Sequence, residues 1–127
     1  MTRKRYDKHS TEFGLWLREQ KELDSKFGYV ATNLDYMWKN YKTGLWMFLE
    51  EKRYNGQLTF SQEKLFKLLD NIAKTDPYYR GLHLLVFEKT SPDDGVITLN
   101  NKVITKKDLI KFLSFERIEN GFDALQK

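Results

Sequence analysis

Five apolar residues, Leu45-Trp46-Met47-Phe48-Leu49, stand between a turn sequence and a charged triplet. Their aromatic and aliphatic side chains favour a β-strand. Because successive side chains of a strand point to opposite faces, a run that is apolar at every position needs cover on both faces of its sheet. The run therefore predicts a central strand of a sheet with helices packed on it, which is an α/β fold.

The remaining elements follow from hydrophobic periodicity and turn residues. Asn40 to Gly44 is the turn of a β-hairpin, and the two prolines, Pro77 and Pro92, stand where the periodicity changes. The expected helices cover about 10–23, 60–74 and 105–113, and the expected strands lie near 29–39, 45–53, 82–88, 96–99 and 102–104. This order predicts a mixed β-sheet flanked by helices, with a C-terminal β-hairpin and helix.

Composition sets the limits on domain number and chemistry. A length of 127 residues suits one domain, and cysteine is absent, which excludes disulfides, thiolate zinc sites and a cysteine nucleophile. The formal net charge is +4, and the first ten residues carry four cations against one aspartate, so most of the excess is local. We expect a flexible basic tail over residues 1–9 and a single domain over residues 10–127. With no apolar run of membrane-spanning length, we expect a soluble, cytoplasmic protein that does not bind membranes.

The charged triplet after the central strand predicts a polar site. Glu50 and Lys52 lie two residues apart and share one face of the strand, whereas Glu51 faces the other side. Folding about the hairpin turn places Asp35 roughly opposite Leu49 or Glu50 on the neighbouring strand. The carboxylates of Asp35 and Glu50 are therefore expected to converge.

Two converging carboxylates suit a hard cation that prefers oxygen ligands. Asp35 and Glu50 would bind Mg²⁺, which accepts a phosphate as an additional ligand, and Lys52 would stabilise charge on the phosphate or orient an attacking water. A solvated strand end, with its charges paired to Lys39 or Arg53, is the alternative interpretation of the same residues.

Asp35 followed by Glu50-Glu51-Lys52, read as D…E-x-K, resembles the signature of the PD-(D/E)XK nucleases. The resemblance covers roughly residues 10–90. The chain is similar in size and element order to the small resolvase-like and replication-repair members of that superfamily. The resemblance implies a restriction-endonuclease-like core and hydrolysis of phosphodiester bonds with Mg²⁺ or Mn²⁺. It also implies these roles: metal ligands from Asp35, Glu50 and the backbone carbonyl of Glu51, a water-positioning or charge-stabilising Lys52, and assisting side chains from Glu12 on the first helix and Gln62 on the second.

Aromatic and basic residues alternate around the expected tip of the hairpin, a composition that is typical of surfaces that stack bases and contact phosphates. The predicted nucleic-acid-binding residues are Lys39, Tyr41, Lys42, Arg53 and Tyr54. The alternative is that the aromatic hairpin only caps the sheet. The expected partner is nucleic acid, with DNA favoured over RNA, and a chain this small is expected to act as a homodimer or with a partner protein.

A second function class stays open at this point. A non-catalytic module of the same fold would bind nucleic acid or a protein through the hairpin as a regulator. A catalytic histidine is disfavoured, because His83 lies in mid-strand among leucines, where a hydrogen-bonded core histidine is expected.

Overall fold

The computed structural model describes residues 11–116 of the chain. The chain divides into two compact units, of which the first ends at Ala31 and the second begins at Thr32. The predicted basic tail over residues 1–9 lies outside the described residues. A single domain over residues 10–127 stays a prediction.

The first unit contains one α-helix followed by short helical turns. Helix α1 covers Glu12–Glu19, and the Thr11 hydroxyl caps it by accepting the N–H of Gly14 at 3.0 Å. The helix ends before the predicted boundary near residue 23, because Gln20 has an extended backbone. Two 3₁₀ turns follow, Lys21–Leu23 and Ser25–Phe27. The Asp24 carboxylate caps the second turn, and such local side-chain bonds compete with continued α-helix.

The second unit contains a five-stranded sheet whose strands lie in chain order across it. The strands are β1 (Tyr36–Lys39), β2 (Trp46–Lys52), β3 (Tyr79–Phe87), β4 (Ile97–Leu99) and β5 (Lys102–Ile104). Helix α2, Phe60–Ala73, connects β2 to the parallel strand β3, and the other neighbouring strands are antiparallel. Helix α3, Lys106–Leu113, follows β5. The predicted mixed α/β sheet with a C-terminal hairpin and helix is therefore confirmed.

Strand β2 is covered on both faces, as its apolar sequence predicts. Met47 and Leu49 belong to a buried cluster that includes Leu109 and Phe112 of α3. The rings of Trp46, Phe48 and Tyr79 pack against one another on the opposite face, with centroids 4.8–5.8 Å apart. On that face the Tyr79 hydroxyl donates to Asp70 of α2 at 2.7 Å. Helices from two different parts of the chain thus meet the two faces of one strand.

Strand β1 covers only four residues, so the expectation of a strand from about residue 29 was wrong. Its ladder with β2 begins at the pair Tyr36 and Leu49. Before that pair, the Asp35 carboxylate accepts the backbone N–H of Glu51, and the Asp35 N–H donates to the Glu50 side chain. Side-chain hydrogen bonds thus take the place of a further rung of the ladder.

Strand β3 begins at Tyr79, three residues before the sequence-based boundary. Between Trp46 and Phe48 of β2 the register advances from Tyr79 to Leu82, which is one extra residue on β3. Gly81 lies in this bulge with φ +102°, a conformation that favours glycine. The bulge interrupts the alternation of side chains between the two faces of the sheet. The apolar sequence pattern therefore indicates only the later part of β3.

His83 is a hydrogen-bonded core residue, as expected. Its side chain is 4% exposed, and its Nε2 lies 2.7 Å from the carbonyl of Arg80. The other ring nitrogen, Nδ1, lies 2.9 Å from the side-chain amide of Asn100, and the ring packs edge-on against Phe112. Among residues 11–116, no helix is long and apolar enough to cross a membrane.

Candidate active site

Glu50 is a buried carboxylate near the carboxyl end of the central strand. The alternation of β2 places its side chain on the face of Trp46 and Phe48, and it is 3% exposed. Lys52 lies two residues further on the same face, and its Nζ is 3.5 Å from Glu50 Oε2. Burial of an ionised carboxylate is costly unless it is paired and hydrogen-bonded, so the partners of Glu50 decide what this site can do.

Asp35 lies next to Glu50, in the register that the hairpin turn predicts. The pair Tyr36 and Leu49 makes Asp35 the next residue opposite Glu50. Its N–H donates to Glu50 Oε1 at 3.2 Å, and its Oδ2 accepts the N–H of Glu51 at 2.8 Å. The two carboxylates are therefore brought together by backbone hydrogen bonds at the end of the hairpin ladder.

Gln62 enters the site from the first turn of α2. Its Nε2 donates to Glu50 Oε2 at 2.9 Å, while its Oε1 accepts the backbone N–H of Thr59 at 3.0 Å. Thr59 in turn caps α2 by accepting the N–H of Gln62 at 3.1 Å, which completes a capping box. The cap fixes which end of the Gln62 amide faces Glu50.

The pKa of Glu50 is raised above its ordinary value. Burial is the largest cause, and the negative charge of Asp35 adds to it. The N–H of Asp35 and the ammonium of Lys52 act in the opposite direction by favouring the ionised form. Burial and the neighbouring charge of Asp35 therefore outweigh the groups that stabilise the ionised form of Glu50.

Glu51 directs its side chain to the other face of β2, as predicted. Its two carboxylate oxygens accept from the Tyr36 hydroxyl at 3.2 Å and from Arg53 Nε at 3.0 Å. The adjacent negative charge of Glu51 raises the pKa of Tyr36. Only the backbone of Glu51 therefore adjoins Asp35 and Glu50.

The donor set of this site fits a small hard cation. No group of three or more His, Cys, Asp or Glu side chains within residues 11–116 is arranged to hold a metal ion. Asp35 and Glu50 supply two carboxylates, and Asp35 is exposed to solvent. Mg²⁺ is bound in many proteins by one or two carboxylates, with water and substrate phosphate completing its coordination. A cation between these two carboxylates would also relieve their repulsion.

The predicted nucleic-acid-binding residues fall into two groups at opposite ends of the β1–β2 hairpin. Lys39, Tyr41 and Lys42 lie at the hairpin turn, whereas Arg53 and Tyr54 follow β2 beside the carboxylates. The expectation that all five surround the turn was wrong, because β2 carries the chain away from the turn. Tyr54 has φ +54°, an uncommon conformation for a tyrosine, and its ring is exposed.

Glu12 is the first residue of α1 and is exposed. It belongs to the first unit, and its part in the site stays a prediction. Thr59 is a site residue that the sequence analysis did not predict, and its backbone N–H donates to the Gln62 side chain. The spacing Thr59-x-x-Gln62 is a capping-box signature, and it indicates that Thr59 also orients the Gln62 amide.

No protein-family model matches this chain. Neither the curated proteins nor the solved structures contain a match.

Proposed function

We propose that this chain is a nuclease that hydrolyses phosphodiester bonds of nucleic acid with Mg²⁺ or Mn²⁺. One observation carries the proposal: a buried carboxylate, Glu50, lies beside a second carboxylate, Asp35, and a lysine, Lys52, at one end of a central strand. A structural ion pair needs only one carboxylate, and the second raises the energetic cost of ionising the first. A buried carboxylate whose pKa is raised by burial and by a neighbouring charge is typical of functional sites.

The cation would be held by the carboxylates of Asp35 and Glu50 and by the backbone carbonyl of Glu51. When bound, a divalent ion supplies Lewis-acid charge to the phosphate and lowers the pKa of water. Because Asp35 is exposed and Glu50 is buried, substrate would approach from the side of Asp35.

The side chains around the carboxylates have separate tasks in this proposal. The Lys52 ammonium, 3.5 Å from Glu50, donates a hydrogen bond to a phosphate oxygen and stabilises the negative charge that develops there. Gln62 holds Glu50 Oε2 in place through its Nε2.

A second candidate function is supported by the same hydrogen bonds. The Glu50 carboxylate is satisfied by protein groups alone, and the described residues contain no buried side-chain polar atom without a partner. A non-catalytic module that binds nucleic acid or a protein would keep such a network for structural reasons.

Cleavage assays separate the two candidates. Purified chain is incubated with single- and double-stranded DNA and RNA in the presence of Mg²⁺ or Mn²⁺. We expect cleavage by the parent chain and its loss, by about a hundredfold or more, in Lys52→Ala and Glu50→Gln, since each removes a charge that the reaction uses.

The exposed helical lysine Lys67, changed to alanine, is the matched control and should cleave as the parent does. Circular dichroism establishes that each variant is folded. Cleavage that persists in both site variants would contradict the assignment, and a folded parent that cleaves none of the substrates favours the non-catalytic module.

A further inference from the structure

A cavity of about 440 Å³ lies at the tip of the β1–β2 hairpin. Residues 38–42 form one side of it, and Leu113 and Ser114 at the end of α3 form the other. Glu50 lies four residues along β2 from Trp46, which pairs with Lys39 at this tip, a distance of roughly 13 Å at about 3.3 Å per residue. The cavity is therefore distinct from the candidate active site.

Hydrogen bonds hold the walls of this cavity in place. The Asn40 side chain accepts the backbone N–H groups of Lys42 and Thr43 at 2.9 and 3.2 Å, which fixes the turn. The indole N–H of Trp38 donates to the carbonyl of Leu113 at 2.8 Å, which fixes the ring against the end of α3. A site that is already formed loses less conformational entropy when a ligand binds.

The cavity combines aromatic rings with positive charge. Trp38 is 43% exposed and Tyr41 is 83% exposed, so both rings present surface to a ligand. Lys39 and Lys42 add two ammonium groups, and none of the lining residues carries a carboxylate. A ligand that complements these walls has a flat ring to stack on the aromatic side chains and an anionic group for the lysines. A nucleotide has both.

The stacking surface selects for bases that are not already stacked. A base inside a duplex has both faces covered by its neighbours, whereas a base in a single strand can lie against an aromatic ring. We propose that the hairpin-tip cavity binds an unpaired nucleotide, and that it holds a single-stranded nucleic acid whose scissile phosphate lies at Asp35 and Glu50. The second part of this statement rests on the proposed function.

Trp38 shares the face of Met47, whereas Glu50 lies on the opposite face, so a bound strand would pass around the edge strand β1 to reach the carboxylates. Single-strand-binding surfaces contact about 4–16 nucleotides, which is enough for such a path. The hairpin tip thus sets the preference for single strands over duplexes, and cleavage takes place at the opposite end of the hairpin. Changes at the tip should therefore weaken binding of single strands and leave the chemistry at the carboxylates in place.

Fluorescence anisotropy with labelled oligonucleotides tests the proposal in EDTA, where cleavage does not interfere. The probes are DNA and RNA single strands of about 12 nucleotides and the corresponding DNA duplex. We expect Tyr41→Ala to weaken single-strand binding about tenfold and Lys42→Ala to weaken it about threefold, with the duplex bound more weakly than the single strand by the parent chain. Tyr29→Ala and Lys67→Ala, at exposed positions outside the cavity, are matched controls and should bind as the parent does.

The outcomes distinguish the two proposals. Unchanged single-strand affinity in both Tyr41→Ala and Lys42→Ala would overturn the cavity assignment, whether or not the parent cleaves. A duplex that binds as tightly as the single strand and depends equally on Tyr41 would overturn the preference for unpaired bases. Binding that depends on Tyr41 in a parent chain that cleaves nothing supports the cavity and overturns the nuclease.

Discussion

The Glu50 carboxylate is held by groups from three parts of the chain. Asp35 precedes β1, Lys52 lies on the same strand as Glu50, and Gln62 belongs to the first turn of α2. Burial and the charge of Asp35 raise the pKa of Glu50, whereas the Asp35 N–H and the Lys52 ammonium oppose this by favouring the ionised form. The hydrogen bonds from Asp35 and Gln62 hold the two Glu50 oxygens at defined positions, which is what a metal ligand requires.

The raised pKa of Glu50 predicts how metal binding depends on pH. A protonated carboxyl binds a cation poorly, and Glu50 becomes protonated at a higher pH than an ordinary glutamate. Affinity for Mn²⁺ should therefore fall as the pH is lowered through a midpoint above the usual glutamate value of about 4.3. Isothermal titration calorimetry with Mn²⁺ across a pH series measures this affinity. Affinity that is constant down to about pH 4 would contradict this prediction.

His83 predicts a second pH effect, on stability. Burial lowers the pKa of His83, so the folded chain takes up its proton at lower pH than the unfolded chain does. The unfolded state therefore binds more protons below about pH 6.5, and stability present above that pH is lost as the pH falls. We expect the free energy of unfolding to be up to about 1 kcal/mol lower at pH 5.5 than at pH 6.5.

Urea unfolding at the two pH values measures this difference. His83→Gln removes the titrating group at the same position and should show a smaller change between them. A parent and a variant with equal pH dependence would contradict the role of His83.

At the scale of elements, local patterns predicted β2 and α2 well because their signals agree with their packing. The apolar run of β2 needs cover on both faces, and Thr59 with Gln62 marks the start of α2. The hairpin turn also predicted the pairing of Asp35 with Glu50, since the register follows from the position of the turn.

The remaining errors arise where side chains or bulges replace regular ladders. The Asp35 carboxylate takes a backbone N–H that a longer β1 would have paired, and the extra residue near Gly81 hides the start of β3. The orientation of the Gln62 amide depends on a hydrogen bond to the Thr59 backbone across the helix cap. The hydrogen bonds of Asp35 and Gln62 leave the hydrophobic periodicity unchanged, and the bulge near Gly81 interrupts it, so a prediction based on periodicity detects none of these features.

Two helix caps of the same type provide a matched pair of variants. Thr59 and Thr105 each cap a helix through a capping box, with Gln62 and Asp108 as the respective partners. Thr59→Ala and Thr105→Ala should each lower the free energy of unfolding by about 1 kcal/mol. Only Thr59→Ala loosens the turn that positions Gln62, so only it should reduce cleavage, by several-fold, in the proposed reaction.

Chemical unfolding and initial cleavage rates measure the two effects on the same preparations. Equal cleavage rates in the two variants would show that the α2 cap does not position the site. If Thr105→Ala has the same free energy of unfolding as Thr59→Ala and also loses cleavage, the loss results from general destabilisation and not from the α2 cap.

At the scale of the whole molecule, position matters more for nucleic-acid binding than total charge. The formal net charge is only +4, and 22 basic residues stand against 18 acidic residues. The cations expected to contact phosphate lie at the two ends of one hairpin, with Lys39 and Lys42 at the tip and Arg53 beside the carboxylates. Arg53 also pairs with Glu51, which leaves the hairpin with few charges for a long strand.

The salt dependence of binding measures how many of these cations contact phosphate. For a single strand, the logarithm of the association constant falls with the logarithm of salt concentration with a slope of about −0.7 per phosphate neutralised. Three hairpin cations therefore predict a slope of about −2, whereas participation of the four cations near the N-terminus would steepen it to about −5. Anisotropy titrations in EDTA between about 50 and 300 mM KCl measure the slope for the parent chain. Lys42→Ala should make it shallower by about 0.7 if the hairpin tip contacts a phosphate, and an unchanged slope would remove Lys42 from the binding surface.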